Sequence, residues 1–463
     1  MSEADTHLTM AIIMVKKPLV LLIFPPIYDF ALYDLFIKPY SLLRLGAWLE
    51  SWGFRSVLVN YLDYRDPESS RALGRPRRKS NGTGKFFRQP MACPTVLKGI
   101  GRRFARYGML REAGRQQIRS LKSDPPSLVM ISTGMTYWYL GVDEVVADIR
   151  SIFPGTPIVV GGVYATLCTE HCERVIGPDF IVTGKAFPQL VEILDSLSLP
   201  VPDRPPGDRL LLAPDVFTDA GTLYLNRGCP FRCDYCASYA LCGDFERGDP
   251  VRVAKVIEDM HTQLGTKNFA FYDDALLEDS ERAIVPLLEW IIGNDLSLAF
   301  FMPNAIHLAK IDRKCAGLLK RAGFREVRMG FESASSDFHF ETGRKLQVEM
   351  LGNAVEELRT AGFSSRQISV YLLAGLPGQV AEEVEESIRY AASFGICVQL
   401  AEYSPVPLTP LWAKSVRWSR FPLEEEPLTH NNTILPLQWA RFSHSDLRSL
   451  MGLAREVSSL TSI

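Results

Sequence analysis

Three thiols share one short loop, Cys229-Pro-Phe-Arg-Cys233-Asp-Tyr-Cys236, with an aromatic residue, Tyr235, just before the last. Thiolates are the usual ligands of iron–sulfur clusters, and four of them normally close a four-iron cubane. Three leave one iron without a protein ligand, and an open coordination site lets a metal bind and activate another molecule. A structural zinc loop is the alternative. Zinc wants a fourth Cys or His at a matching spacing. The next candidates, Cys242 and His261, form no such pair. Further polar or glycine-rich groups follow the loop at intervals: Asp273-Asp274, Pro303-Asn304, Gly330-Phe-Glu332-Ser333, Gly375-Leu-Pro-Gly378 and Tyr403-Ser-Pro-Val-Pro-Leu-Thr409.

Each of these groups follows an expected strand. The pattern predicts strands over 222–226, 268–272, 298–302, 326–331, 368–374 and 397–402. Helices are expected between them, over 251–264, 281–292, 313–322, 349–360 and 382–394. Six β/α units are too few for a full eightfold barrel, and catalytic residues of such folds collect at the carboxyl ends of the strands.

The front half alternates too. The apolar run 18–24, stopped by Pro25-Pro26, reads as a parallel strand buried on both faces. Strands follow over 55–62, 127–132, 157–160 running into Gly161-Gly162, and 180–183 ending at Gly184. Helices are expected over 40–52, 142–153, 167–175 and 188–197. Five such units predict an α/β, doubly wound, flavodoxin-like domain whose ligand crevice lies at the carboxyl ends of its strands. The proline-dense stretch 199–210 reads as a stiff linker.

The chain has 463 residues, a length natural for two or three domains. Its 47% hydrophobic and 22% charged content is that of an ordinary globular protein. Net charge is only −2, so the Arg- and Lys-rich segment 70–120, with Glu112 as its only acid, is a local basic patch. It reads either as a solvated, partly helical insertion or as a surface for a phosphate-bearing ligand, an acidic partner or RNA. Phe86-Phe87 and Phe104-Ala-Arg-Tyr107 suggest that it packs against something. Of the nine cysteines, the six outside the loop are scattered, which argues against a disulfide framework and for a reducing, cytoplasmic setting. Near the N-terminus an apolar stretch precedes Lys16-Lys17, the wrong order for a signal peptide. No apolar run reaches the ~20 residues of a membrane span.

The cysteine loop and the order of groups after it resemble the radical S-adenosylmethionine (radical SAM) superfamily. The resemblance implies a [4Fe-4S] cluster on Cys229, Cys233 and Cys236, with SAM on the free iron. Reductive cleavage of SAM would then give a 5′-deoxyadenosyl radical. It further implies SAM contacts from Tyr235, Asp273, Asp274, Glu332 and Ser333, and an adenine-side turn at Gly375 and Pro377. The front half resembles the cobalamin-binding domain found ahead of many radical SAM barrels. The matching positions are the Phe-Pro-Pro end of the first strand, Ser132-Thr133-Gly134, Gly161, Gly162, Tyr164-Ala-Thr166, and Thr183-Gly184. Two departures stand out. The loop 25–36 contains no histidine, which implies a corrinoid without a histidine lower ligand, and Lys185 stands where the family tends to carry Glu. His171 reads as a surface or helix-end residue, Cys168 and Cys172 as packed or free, and Tyr137-Trp-Tyr139 as core or as a corrin-lining run.

The expected division is therefore a tail over 1–17, a cobalamin-binding-like domain over 18–198 with the insertion 70–120, and the linker 199–210. A partial (β/α)6 radical SAM barrel over 211–410 and a C-terminal cap over 411–463 complete it. The expected activity is cobalamin-dependent methylation of an unactivated carbon. Radical cyclisation or rearrangement without methyl transfer is one alternative, and a non-catalytic binding or regulatory protein is another. The expected partners are a small-molecule substrate and a flavodoxin- or ferredoxin-type electron donor. No membrane is expected; nucleic acid is disfavoured, though the basic insertion leaves it open.

Overall fold

The computed structural model describes residues 16–201, 210–343 and 346–461. Most of the tail 1–17 and of the linker 199–210 lies outside the described residues. The strands of the first unit are β1 Leu19–Phe24, β2 Ile27–Asp29, β3 Arg55–Asn60, β4 Arg88–Pro90, β5 Ala105–Tyr107, β6 Leu128–Thr133, β7 Ile158–Gly162 and β8 Phe180–Val182. Five of them form one parallel sheet in the order β3-β1-β6-β7-β8. This is the doubly wound, flavodoxin-like order. All six residues of β1 are buried, as a strand covered by helices on both faces requires.

One helix differs from its expected form. The stretch 167–175 is broken into Val163–Leu167, Thr169–His171 and a π turn, Cys172–Ile176. Cys168 leaves helical dihedrals (φ −133°, ψ 47°) at the break. Thr166 and Thr169 on either side return their hydroxyls to the carbonyls of Gly162 and Ala165. Such back-bonding bends helices. His171 corrects the surface reading. It is buried, and its Nδ1 shares a hydrogen bond with the Tyr164 hydroxyl at 2.7 Å. Burial holds the imidazole down to about 4.

The basic segment is built into this unit. Strands β2, β5 and β4 form a small antiparallel sheet, and Phe87, Phe104 and Met109 enter the core beside β1 and β6. Arg106 is buried. Its Nε and Nη2 donate to Glu144 at 2.9 and 2.6 Å, and its Nη1 donates to the Met109 carbonyl at 2.6 Å. Other cations of the segment, among them Arg75, Arg77, Lys79, Arg102 and Arg103, stay exposed.

The second unit contains β9 Gly221–Leu223, β10 Asn268–Phe271, β11 Ala299–Phe301, β12 Ile306–His307, β13 Val327–Glu332, β14 Ile368–Ala374 and β15 Cys397–Glu402. All pairings are parallel, in two arcs: β9-β10-β11, and β12-β13-β14-β15. Backbone bonds from Phe300 to Gly323 and from Arg325 to Phe300 join them into one partial barrel, in which the two-residue β12 is additional to the six expected strands. Period-two alternation sorts the side chains. Leu223, Phe269, Phe271, Phe300 and Met329 face the helices in one large core. Ala270, Phe301 and Tyr272 meet Phe36 on the opposite face, so the first loop of the front unit is inserted there. The Thr222 hydroxyl donates to the Phe36 carbonyl at 2.8 Å, and the Tyr272 hydroxyl donates to that of Leu35.

The C-terminal stretch does more than cap the barrel. Its helix His444–Leu460 packs Leu447, Leu450 and Ala454 into the barrel core. Ahead of that helix the chain crosses to the front unit. Tyr139 donates to Glu426 at 3.0 Å, Asn431 donates to Asp29 at 2.8 Å, and His430 Nδ1 meets the Thr136 hydroxyl at 3.0 Å. Tyr137, Trp138 and Tyr139 are all buried, and Trp138 donates its indole N–H to Asp29 at 2.9 Å. Among the described residues no helix is long and apolar enough to cross a membrane.

Candidate active site between the two units

The cysteine loop leaves the end of β9, and the neighbouring strand end fixes its direction. Asp273, just past β10, accepts the backbone N–H of Leu225 at 3.0 Å and that of Asn226. Asn226 in turn donates to the Ala275 carbonyl at 3.1 Å and accepts from Gly248 N at 3.2 Å. Burial raises the Asp273 carboxyl to about 7 against the pull of these N–H donors. Further along, Asp234 N donates to Thr342 O at 3.3 Å, Leu411 N donates to Asp234 O at 3.1 Å, and Cys236 N closes a turn on Cys233 O at 2.9 Å. Gly343 (φ +126°) brings its backbone so close that a Cβ there would sit 3.3 Å from the Cys233 Cα.

Cys229 and Cys233 are buried, and Cys236 is exposed. Although the residue is open at its surface, packing around it desolvates the Cys236 thiol and raises it to about 11, and the nearby Asp274, Cys233 and Cys229 add to it. A metal ligand must be the thiolate, so a cationic cluster relieves the charge this loop otherwise resists. A tetrahedral zinc ion needs ligands that converge on one point. Among the described residues no three His, Cys, Asp or Glu side chains do so. A cubane takes one thiolate per iron and makes no such demand, and the donor set fits it.

The other strand ends differ in what they present. Asp274 accepts from the Ser238 hydroxyl at 2.5 Å, and burial raises its carboxyl. Glu332 is buried at a bulge between β13 and β14 and holds a left-handed φ of +66°. Strain of this kind persists where the surroundings enforce it. Glu332 lies close enough to Tyr235 for its charge to act on the phenol, whose ring stacks on Phe338 at 6.4 Å. Ser333 is buried in a local turn, with its carbonyl 2.7 Å from His339 Nε2. Gly375 (φ +92°) donates its N–H to Gln379 at 2.8 Å, and a Cβ there would meet Leu435 of the C-terminal stretch at 2.9 Å. Pro377 is buried beside it.

A cavity of about 550 Å³ lies between the two units. Ser132, Gly161, Gly162 and Gly184 line it from the front unit; Tyr224, Asn226, Gly228, Tyr272, Asp274 and Asn304 line it from the barrel. Thr133 is buried behind the glycines. Gly162 has a φ of +93°, and a Cβ there would lie 2.5 Å from the Thr133 carbonyl oxygen. Tyr235, Asp273, Glu332, Ser333, Gly375, Pro377 and the three cysteines belong to the adjoining barrel mouth and do not line this cavity. Sequence reasoning missed Tyr40, Arg44 and Trp48, which also line it. Their i, i+4, i+8 spacing on the helix α1, Tyr40–Ser51, marks one face and was the available signal. Cys168 and Cys172 stay packed away from it, both raised by burial to about 12.

This arrangement of cysteine loop and partial barrel has known counterparts. Residues 223–391 match the radical SAM superfamily, and the second unit is a radical SAM domain. A Pyrococcus horikoshii protein described as an uncharacterized methyltransferase is 26% identical over 283 residues, 60% of this chain and 57% of that protein. The anaerobic magnesium-protoporphyrin IX monomethyl ester cyclase of Rubrivivax gelatinosus is 24% identical over 192 residues, 40% of this chain and 33% of the cyclase. The chain thus spans about half, or less, of the length of these relatives. The fold is shared with the radical S-adenosylmethionine methyltransferase TsrM of Kitasatospora setae, solved with cobalamin and a [4Fe-4S] cluster. The TM-score is 0.64 at 15% identity, covering 88% of this chain and 76% of TsrM. The chain therefore has a two-unit fold, a doubly wound flavodoxin-like domain followed by a partial (β/α)6 barrel, and the radical SAM match lies in the barrel.

Proposed function

We propose that this chain is a cobalamin-dependent radical SAM enzyme that methylates an unactivated carbon of a small molecule. The observation that carries this is the single cavity that runs from the strand-end glycines of the front unit to Asp274 beside the cysteine loop. Cys229, Cys233 and Cys236 would hold a [4Fe-4S] cluster. Asp274, Glu332, Tyr235, Ser333, Gly375 and Pro377 would surround SAM. Ser132, Thr133, Gly161, Gly162 and Gly184 would seat a corrinoid, with no histidine ligand from the loop 25–36. When bound, these groups supply the electron that opens a C–S bond of SAM and the carrier of the methyl group.

The protein's own residues orient and enclose. Asp273 braces the cysteine loop through the backbone of Leu225 and Asn226. Asp274 offers its carboxylate to a protonated amine, the pairing expected for an amino-acid headgroup. The inserted loop 30–38 closes one end of the barrel, and the 426–434 crossing ties the front unit to it. A reactive intermediate in this enclosure is shielded from water. A flavodoxin- or ferredoxin-type donor in the cytoplasm would supply electrons.

SAM labelled in its methyl group tests the proposal. Methylation predicts labelled product, with 5′-deoxyadenosine and S-adenosylhomocysteine formed in about equal amounts. Label that never reaches product, with 5′-deoxyadenosine still formed, would instead favour ring formation or rearrangement. The match to the cyclase keeps that second reading in view.

A further inference from the structure

Three tyrosines from different elements wall the cavity: Tyr40 opens α1, Tyr224 follows β9, and Tyr272 follows β10. The ring centroids of Tyr40 and Tyr224 are 4.6 Å apart, and those of Tyr224 and Tyr272 are 6.3 Å apart. Strand alternation explains the directions. Leu223 and Leu225 enter the core under the helices, which turns Tyr224 the other way. Tyr272 is fixed by its bond to the Leu35 carbonyl and by Asn304, whose amide donates to the Tyr272 carbonyl at 2.8 Å.

Tyr224 is the member left open. Its surface is 39% exposed, although both units pack around it. The open area faces the cavity. Among the described residues its hydroxyl makes no hydrogen bond, whereas the Tyr272 hydroxyl is engaged. Asn304 and Asp274 are the polar groups beside it on the barrel side.

We propose that the cavity takes a substrate with a flat, unsaturated ring, laid against Tyr224 and hydrogen-bonded by its hydroxyl. This rests on the reading of the cavity as the shared reaction site. Aromatic faces also attract cations, but the charges do not favour one here. Arg44, Arg227, Arg247 and Arg252 line the cavity against Glu246, Asp249 and Asp274. The lining carries no negative excess, so ring-on-ring contact is the interaction the wall selects.

The test uses the full chain, anaerobically reconstituted with iron and sulfide, in equilibrium dialysis against matched probes. Benzamide and cyclohexanecarboxamide carry the same amide on a flat and a saturated ring, and tetramethylammonium is the cation. Benzamide should be retained several-fold over cyclohexanecarboxamide. Tyr224→Leu should abolish that preference. Tyr224→Phe should keep it while weakening benzamide by about 2- to 10-fold, the worth of one hydrogen bond. Unchanged iron content and thermal unfolding exclude a folding defect. Equal retention of the two amides, an unchanged preference in Tyr224→Leu, competition by tetramethylammonium, or displacement of benzamide by hydroxocobalamin would each overturn the proposal. None of these readouts depends on methyl transfer, so failure of that reaction is distinguishable from failure of this inference.

Discussion

Replacing Arg106 with Met tests whether the basic insertion is part of the core that carries the site. Arg106 and Glu144 are 3% and 4% exposed at their side chains and share two hydrogen bonds, of 2.9 and 2.6 Å. Tyr28 adds a third donor to Glu144 at 2.6 Å, and Arg106 also satisfies the Met109 carbonyl. Methionine fills the volume but leaves a buried carboxylate with one neutral donor. Removing one partner of a buried pair costs about 3–5 kcal/mol, whereas replacing both with apolar residues is often neutral. Arg106→Met should therefore lose about 3–5 kcal/mol in equilibrium urea unfolding followed by circular dichroism. Arg106→Met/Glu144→Leu should regain most of it. A loss below about 1 kcal/mol, the level of an exposed pair, would refute the reasoning, as would a double variant no better than the single.

Gly162→Ala should cost about 1–3 kcal/mol in backbone strain and force the Thr133 carbonyl away from a Cβ 2.5 Å distant. Hydroxocobalamin binding by equilibrium dialysis should fall by at least about tenfold, and unaltered binding would speak against the corrinoid seat. Asp274→Ala should weaken SAM binding and leave iron content intact. Asp273→Ala should instead lower iron incorporation, because the Leu225 and Asn226 N–H groups lose their acceptor. His430 is buried, with Nε2 donating to the Leu423 carbonyl at 2.7 Å, and burial holds its pKa down to about 4. Its unfolded value is higher, so the unfolded chain binds the proton first as pH falls. The stabilisation is then complete above about pH 6.5 and lost toward pH 4, on the order of 3 kcal/mol. His430→Gln should flatten that slope in urea titrations across this window; parallel slopes would contradict the assignment.

Much of this site was legible because its signals are local. The run from Leu19 to Phe24 and the strand Cys397–Glu402 are written in continuous apolar or alternating residues, and the three thiols lie within one loop. Asp273 and Asp274 show where local reading stops. Both sit at the end of β10, and both look like headgroup ligands in sequence. Alternation separates them once the phase is known. Phe269 and Phe271 face the helix-side core, and Asp273 shares their parity and turns to the backbone of Leu225. Ala270 and Tyr272 face the other way, and Asp274 shares theirs and reaches the cavity. The phase was available in the two phenylalanines, because a one-residue slip would turn both out of the core. The C-terminal crossing had no such signal. Its bonds join His430 to Thr136 and Asn431 to Asp29, across 294 and 402 residues. Contacts of that span depend on the assembled fold, and no periodicity in 426–434 encodes them. The same holds for Tyr224. Its parity predicts which way it points, but only the docked front unit, with Tyr40 at 4.6 Å, turns an inward tyrosine into one wall of a shared cavity.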